Sequence, residues 1–281
     1  MKPKNTMKKP DHYAVFGHPI AHSLSPLIHT WFAEQTGEGI RYTSQDVPPE
    51  CFETAVGAFR AGGGLGLNCT VPLKELAFRL ADALSPRAQM SHAVNTLVFR
   101  KDSILFGDNT DGVGLLRDLT ENMGVSLSNK RILVIGAGGA ARGILGPLLE
   151  QQPELVVIAN RTEERAVALA EQFSSLGKIQ ACGFAKLKDQ QFDLILNATA
   201  AGLHGQIPPL PNGLIAPGGV CYDLMYGEKA VPFLEWGRVQ GAETAVDGLG
   251  MLVEQAAEAF WLWRGVRPST APVIARLRER K

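Results

Sequence analysis

The stretch Arg131 to Gly143, RILVIGAGGAARG, constrains the fold more than any other in this chain. RILVI is an apolar run without polar alternation, which suits a strand buried on both faces. Gly136, Gly138 and Ala141 follow in a GxGxxA pattern, directly after the strand and at the opening of a helix. Gly136 allows a tight turn and Gly138 lets backbone approach a pyrophosphate. Ala141 lets helix and strand pack closely, and the helix N-terminus offers free N–H groups to an anion. Glycines also make ordinary turns. In a strand–turn–helix setting the pattern predicts a dinucleotide cradle built from Gly136, Ala137, Gly138, Gly139 and Ala140.

The next apolar run ends in ANRTEER. A site for NAD usually carries an acid here, to accept from the ribose 2′-hydroxyl. This chain has Asn160, Arg161, Thr162 and Arg165 instead. Two guanidinium groups would bond a 2′-phosphate at ~1.5–3 kcal/mol per charged hydrogen bond, which favours NADP about tenfold or more. The opposing reading is a pair of solvated arginines drawn toward Glu163 and Glu164.

Further unbroken runs, LVVIANR, FDLILNAT and GGVCYDLMY, continue the parallel-strand pattern with helices at 140–151 and 163–173. Before them, strands are expected at 13–16, 40–46, 65–69, 94–99 and 104–107, and helices at 26–36, 49–60 and 73–83. A helix ending near Gly124 follows GDNTDG. A last long helix covers about 249 to 264, and a short one lies in the tail. The fold class is therefore α/β, with two lobes: an N-terminal α/β substrate domain completed by C-terminal helices, and a Rossmann-type dinucleotide-binding domain. The expected limits are a basic tail at 1–10, then 11–111 plus 249–281, then 112–248.

Formal net charge is zero, so the global balance gives no sign of a nucleic-acid partner. The basic start has no apolar segment behind it, and GMLVEQAAEAFWLW is interrupted by Glu254 and Glu258, so neither a secretory signal nor a membrane span is expected. The four cysteines form no CxxC pair, and no HExxH or Cys/His cluster is present. We expect free thiols, a cytoplasmic protein and no structural metal.

SLSPLIHTWFAEQTG parses as a helix with Ser25 as N-cap, Pro26 as first helical residue and Gly37 as stop. Ser25 is accounted for by capping, whereas Ser23 is not. Two hydroxyl donors at a positive helix end would also suit a carboxylate. In NCTVPLKE, Lys74 falls in the first turn of a helix, where the dipole and partial burial would lower its pKa toward a range useful for proton transfer; a surface lysine is the alternative. Asp111 either caps the helix after GDNTDG or faces Lys74. Asn95 breaks an apolar strand, and Gln255 puts a polar group on an apolar helical stripe.

Taken together, YAVFGHPIAHSLSPLIH, NCTVPLKE, AVNTL, GDNTDGVG, IGAGGAARG, NRT, FDLILNAT, YDLMY and DGLGMLVEQAA resemble the shikimate dehydrogenase family, over nearly the whole length. The resemblance implies NADP-dependent interconversion of 3-dehydroshikimate and shikimate. It implies that Ser23 and Ser25, helped by Thr70 and Tyr226, hold the substrate carboxylate, and that Asn95, Asp111 and Gln255 bind the ring hydroxyls. Lys74 and Asp111 would be the catalytic pair, and Leu224 and Gly248 would lie near the nicotinamide. Thr30, Leu224 and alanines 200 and 201 depart mildly from the family's pattern. Two rivals stand beside this reading: a quinate/shikimate dehydrogenase of broader specificity, and a non-catalytic NADP-binding regulator. The implied partner is a small molecule, with the chain a monomer or homodimer.

Overall fold

The computed structural model describes residues 9–199 and 201–280, apart from the side chains of Leu203 and His204. Most of the expected basic tail (1–8) and Ala200 lie outside the described residues. The chain falls into two compact units, one running to Thr110 and resuming at Ala256, the other Asp111–Gln255.

The first unit is built on β1 (Asp11–Gly17), α1 (Ser25–Thr36), β2 (Ile40–Asp46), α2 (Phe52–Ala61), β3 (Gly64–Cys69), α3 (Lys74–Leu80), β4 (Ala83–Leu84), α4 (Pro86–Ser91), β5 (Thr96–Phe99) and β6 (Leu105–Asp108). Its sheet runs β2-β1-β3-β5-β6-β4. β1 is parallel to β2 and β3, whereas β5 runs antiparallel to β3 and β6. The carboxyl ends of β1, β3 and β6 and the start of β5 therefore share one edge. Ala14, Phe16, Leu67, Leu73 and Leu97 fill the core on one side of it.

The second unit opens with α5 (Asp111–Arg117), which continues into a π-helical turn at Asp118–Asn122. It continues through β7 (Arg131–Ile135), α6 (Gly139–Glu150), β8 (Leu155–Ala159), α7 (Glu163–Phe173), β9 (Ile179–Cys182), β10 (Phe192–Asn197), β11 (Ile215–Asp223), α8 (Val231–Val239) and β12 (Thr244–Asp247), and enters α9 (Leu249–Arg264). The sheet order is β12-β11-β10-β7-β8-β9, and its pairings are parallel. Counted from β7 this is 3-2-1-4-5-6, the Rossmann order, whose ligands lie beyond the carboxyl ends of the strands. The apolar runs read from the sequence are buried as two-faced strands should be: Ile132, Leu133, Val134 and Ile135 are fully buried.

α9 belongs to both units, and α10 (Ala271–Arg278) completes the first. The two glutamates that interrupt the apolar run of α9 are buried and bonded. Glu254 accepts from Asn122 at 3.0 Å, and Glu258 is held by Arg87 at 3.1 Å and by Arg267. Among the described residues no helix is long and apolar enough to cross a membrane.

Three expectations need correction. α1 begins at Ser25, not Pro26, because Leu24 already has helical dihedrals; Ser25 makes no cap, and the Ser23 hydroxyl accepts from the Ser25 N–H at 3.3 Å. α3 ends at Leu80 rather than 83, where Asp82 is drawn into pairing with Leu105 through its backbone N–H and its carboxylate. The elements β4, α4, β9, α8 and β12 were not anticipated.

Candidate active site

In the first unit the loops that leave β1 and β3 touch. A Cβ on Gly17 would stand 2.4 Å from Thr70 Cγ2, so only glycine lets the two loops close on each other. The Thr70 N–H bonds the Phe16 carbonyl at 2.9 Å, and the His18 N–H bonds Val71 at 3.1 Å. Ser23 sits on the first loop and Ser25 opens the helix after it; Thr70 sits on the second loop and Lys74 opens the helix after that. The Lys74 carbonyl accepts from the Val94 N–H at 3.0 Å, and the Asn95 carbonyl accepts from the Cys69 N–H at 2.8 Å. These bonds bring the segment before β5 to the same place. Ser23, Ser25, Thr70, Lys74 and Asn95 therefore gather at one edge of one sheet.

Their hydroxyls are not all committed alike. The Thr70 hydroxyl makes no hydrogen bond among the described residues, and the Ser23 hydroxyl only accepts. Ser25, 8 % exposed, stands beside the Tyr42 phenol. Tyr42 donates to Asn68 Oδ1 at 2.7 Å, and Asn68 Nδ2 donates to Thr96 Oγ1 at 3.0 Å and to the Asn95 carbonyl at 3.1 Å. Asn95 Nδ2 donates to Thr110 Oγ1 at 2.9 Å, while its Oδ1 accepts from the Thr96 hydroxyl and the Thr110 N–H, each at 2.9 Å. Burial raises the Tyr42 pKa well above the usual phenol, so Tyr42 stays a neutral donor. His29, one turn after Ser25, stacks on Tyr42 at 4.1 Å and is fully buried, and burial pushes its pKa down to about 3.

GDNTDG holds its two aspartates in different settings. Asp108 is held bidentately by Arg87 at 2.7 and 2.6 Å, and also accepts from Ser85 and from the Asn109 N–H. Asn109 Nδ2 bonds Ser91 and the Ala93 carbonyl, each at 3.1 Å. Asp108 is thus spent on holding the turn. Asp111, 7 % exposed, opens α5 directly beyond Thr110.

In the second unit Gly136 takes φ +105°, a conformation that favours glycine, and its N–H bonds the Ala159 carbonyl at 2.8 Å. Ala141 is fully buried against the sheet. Gly138, Gly139 and Ala140 are exposed, no side chain caps α6, and no heavy atom lies within 4 Å of where a Cβ on Gly138 or Gly139 would stand. This is a bare helix N-terminus with open space over it, and it fits a pyrophosphate. Ala137 is half-buried in the same turn.

After β8, Asn160 Nδ2 bonds the Thr162 carbonyl at 2.9 Å. Arg161, Thr162 and Arg165 are exposed, and neither arginine has an ion-pair partner among the described residues. Glu163 pairs with Lys186 at 2.7 Å, a bond that lowers its pKa, so it does not draw the arginines away. Both cations are exposed and unpaired among the described residues, just after the carboxyl end of β8.

The carboxyl ends of β10, β11 and β12 end in Asn197, Asp223 and Asp247, in register. Leu224, Tyr226 and Gly248 follow these ends. Tyr226 is half-buried, burial raises its pKa, and its hydroxyl makes no hydrogen bond among the described residues. Gln255, on α9, donates Nε2 to the Leu252 carbonyl at 2.8 Å. Sequence reasoning missed Tyr42, Asn68, Asp223 and Asp247. For Asp223 a signal was available, since the apolar runs LVVIAN, FDLILN and GGVCYD each end in Asn or Asp. Among the described residues no group of three or more His, Cys, Asp or Glu is placed to hold a metal ion.

A Rossmann unit with an arginine pair after its second strand, joined to an α/β unit rich in hydroxyl and amide groups around one lysine, defines the class of a two-unit dinucleotide-dependent oxidoreductase. Three segments match family descriptions: residues 15–97 the shikimate dehydrogenase substrate binding domain, 118–204 shikimate / quinate 5-dehydrogenase, and 248–278 the shikimate 5′-dehydrogenase C-terminal domain. The chain is 59% identical over 271 residues to the shikimate dehydrogenase (NADP(+)) of Methylococcus capsulatus, covering 96% of this chain and 97% of that protein. Among solved structures, the Ael1 enzyme of Pseudomonas putida is 46% identical with TM-score 0.88, covering 95% of this chain and 98% of that one. Shikimate 5-dehydrogenase of Thermus thermophilus, solved with NADP(H) and shikimate, is 36% identical with TM-score 0.83, covering 96% and 99%. The chain belongs to the shikimate dehydrogenase family.

Proposed function

We propose that this chain is an NADP-dependent shikimate dehydrogenase that interconverts 3-dehydroshikimate and shikimate. The observation that carries the reading is the near-full-length identity with a curated enzyme of that activity. The bare cradle at Gly136–Ala140 and the uncommitted Arg161 and Arg165 agree with its cofactor.

When bound, NADPH supplies a hydride equivalent to the substrate's carbonyl carbon, and NADP⁺ accepts one in the reverse direction. Gly136, Ala137, Gly138, Gly139 and Ala140 present backbone to the pyrophosphate. Asn160, Arg161, Thr162 and Arg165 take the adenosine ribose and its 2′-phosphate, and Leu224 and Gly248 border the nicotinamide. Ser23, Ser25, Thr70 and Tyr226 donate to the substrate carboxylate, and Asn95, Asp111 and Gln255 bind its ring hydroxyls. Lys74 donates a proton to the oxygen as negative charge develops there, and takes the hydroxyl proton in reverse. Asp111 favours the charged ammonium. The unit that runs to Thr110 and resumes at Ala256 is the substrate domain, and Asp111–Gln255 is the cofactor domain. Asp111 and residues 249–255, which the sequence limits 11–111 plus 249–281 and 112–248 put with the substrate domain, fall in the second unit. The free cysteines agree with a reducing cytoplasm. All these residues come from one chain, which a monomer satisfies and a homodimer accommodates.

The test is reduction of NADP⁺ by shikimate, repeated with quinate and with NAD⁺. Shikimate with NADP⁺ is expected to be the preferred pair. Equal turnover of quinate would favour the broader dehydrogenase, and no turnover would favour the regulator.

A further inference from the structure

Tyr226 is gripped on both sides. The Met225 N–H before it donates to Asp223 Oδ1 at 2.8 Å, and the Gly227 N–H after it donates to Asp247 Oδ2 at 3.1 Å. The Gly248 N–H closes the same turn on the Met225 carbonyl at 2.9 Å, and the Leu224 N–H bonds the Asn197 carbonyl at 3.0 Å. Asp223 and Asp247 lie opposite each other at the ends of β11 and β12. The other Asp223 oxygen accepts from Asn197 Nδ2 at 2.9 Å, and Asn197 Oδ1 in turn accepts from the Thr199 hydroxyl at 2.7 Å.

Two buried carboxylates in neighbouring strands are a costly way to hold a turn. Asp223 is fully buried and Asp247 is 4 % exposed. Burial, with the charge of Asp247 adding to it, pushes the Asp223 pKa up to about 6. A backbone bond or a serine would hold a turn more cheaply. A local arrangement that costs stability points to a requirement for geometry. Between the two gripped peptide groups lie Met225 and Tyr226, and the Tyr226 hydroxyl makes no hydrogen bond among the described residues.

We propose that Asp223 and Asp247 are positioning residues that act through Tyr226: their carboxylates fix the Leu224–Met225 and Tyr226–Gly227 peptide groups before and after it, and so fix where its phenol is presented. This rests on the reading of Tyr226 as a substrate ligand. It adds to that reading a specific cause for the placement of the phenol, located at the ends of β11 and β12.

The experiment is a double-mutant cycle on the full chain, with KM for shikimate and kcat measured for Asp247→Ala, Asp247→Asn, Tyr226→Phe and the double variant Asp247→Ala/Tyr226→Phe. Asp247→Ala is expected to raise KM for shikimate about tenfold or more with a smaller change in kcat, as loss of one hydrogen bond to a charged group predicts. Asp247→Asn, which keeps an acceptor for the Gly227 N–H, should recover most of that loss. In the Tyr226→Phe background, Asp247→Ala should add less than about twofold. Asp223→Asn gives an independent arm, because its amide must turn a donor toward either Asn197 or Met225; it should raise KM in the same way, and again not in the Tyr226→Phe background. Full additivity with a raised KM in Tyr226→Phe, or wild-type KM in both aspartate variants, overturns this proposal alone. Wild-type KM in Tyr226→Phe removes the ligand reading and the proposal with it.

Discussion

In the proposed mechanism Lys74 is the residue on which the chemistry turns. It opens α3, and its carbonyl ties it to the segment carrying Asn95. Lys74→Met keeps the length of the side chain and removes the proton. We expect kcat to fall by about 10²–10⁴, the range for a lost general acid, with NADP⁺ affinity unchanged by fluorescence titration. His29 makes a different prediction, one of stability. Among the described residues neither of its buried ring nitrogens has a hydrogen-bond partner, and its folded pKa of about 3 lies below the unfolded 6.5. The neutral form is the one that fits, so its contribution is complete above pH about 6.5 and is lost as pH falls toward 3. That loss amounts to up to about 5 kcal/mol. His29→Phe, which keeps an aromatic ring against Tyr42, should flatten the fall of the urea midpoint between pH 7 and 4. An unchanged slope would show that the histidine does not drive acid unfolding.

At the scale of elements, the arginine pair at the start of α7 is separable from the rest of the site. Arg161→Ala and Arg165→Ala together should lower the preference for NADP⁺ over NAD⁺ by about tenfold or more, through KM for NADP⁺ and with little effect on NAD⁺. A preserved ratio of kcat/KM values would assign 2′-phosphate recognition elsewhere. The second unit was legible because its strands are long apolar runs with helices between them. α7 and α9 carry the limits expected from the sequence. β9 and β12 were not legible because they are four-residue edge strands with mixed polarity, IQAC and TAVD, and short edges are how sheets limit further pairing. Two Ser-Pro pairs show where local signals run out. Ser85 is extended, caps α4 and accepts from the Ala88 N–H, whereas Ser25 is already inside α1. The same dipeptide starts two helices differently because the residue before it is helical in one case. The π-helical turn at Asp118–Asn122 has no sequence mark either. Its Asp118 is bonded to Tyr222, 104 residues away, at 2.6 Å.

At the scale of the whole molecule, the carboxylates that hold the first unit together are not those of the proposed mechanism. Asp108 and Glu258 share Arg87 in a buried cluster that joins α4, β6 and α9 within the first unit. Arg87→Ala leaves two buried charges without that partner and should cost about 3–5 kcal/mol in chemical denaturation. A cost below about 1 kcal/mol would show that Arg267, also paired with Glu258, carries the cluster. The catalytic claim is separate and simpler: shikimate is the substrate, the dinucleotide carries the hydride, and Lys74 moves the proton. The direct measurement is the steady-state rate of NADP⁺ reduction by shikimate, followed by absorbance of the reduced nicotinamide, for the wild-type chain and Lys74→Met side by side. The account predicts shikimate-dependent turnover in the wild type and a loss of at least about a hundredfold in kcat in the variant, with NADP⁺ binding intact. No shikimate-dependent reduction by the folded wild type, or a wild-type kcat in Lys74→Met, would contradict it.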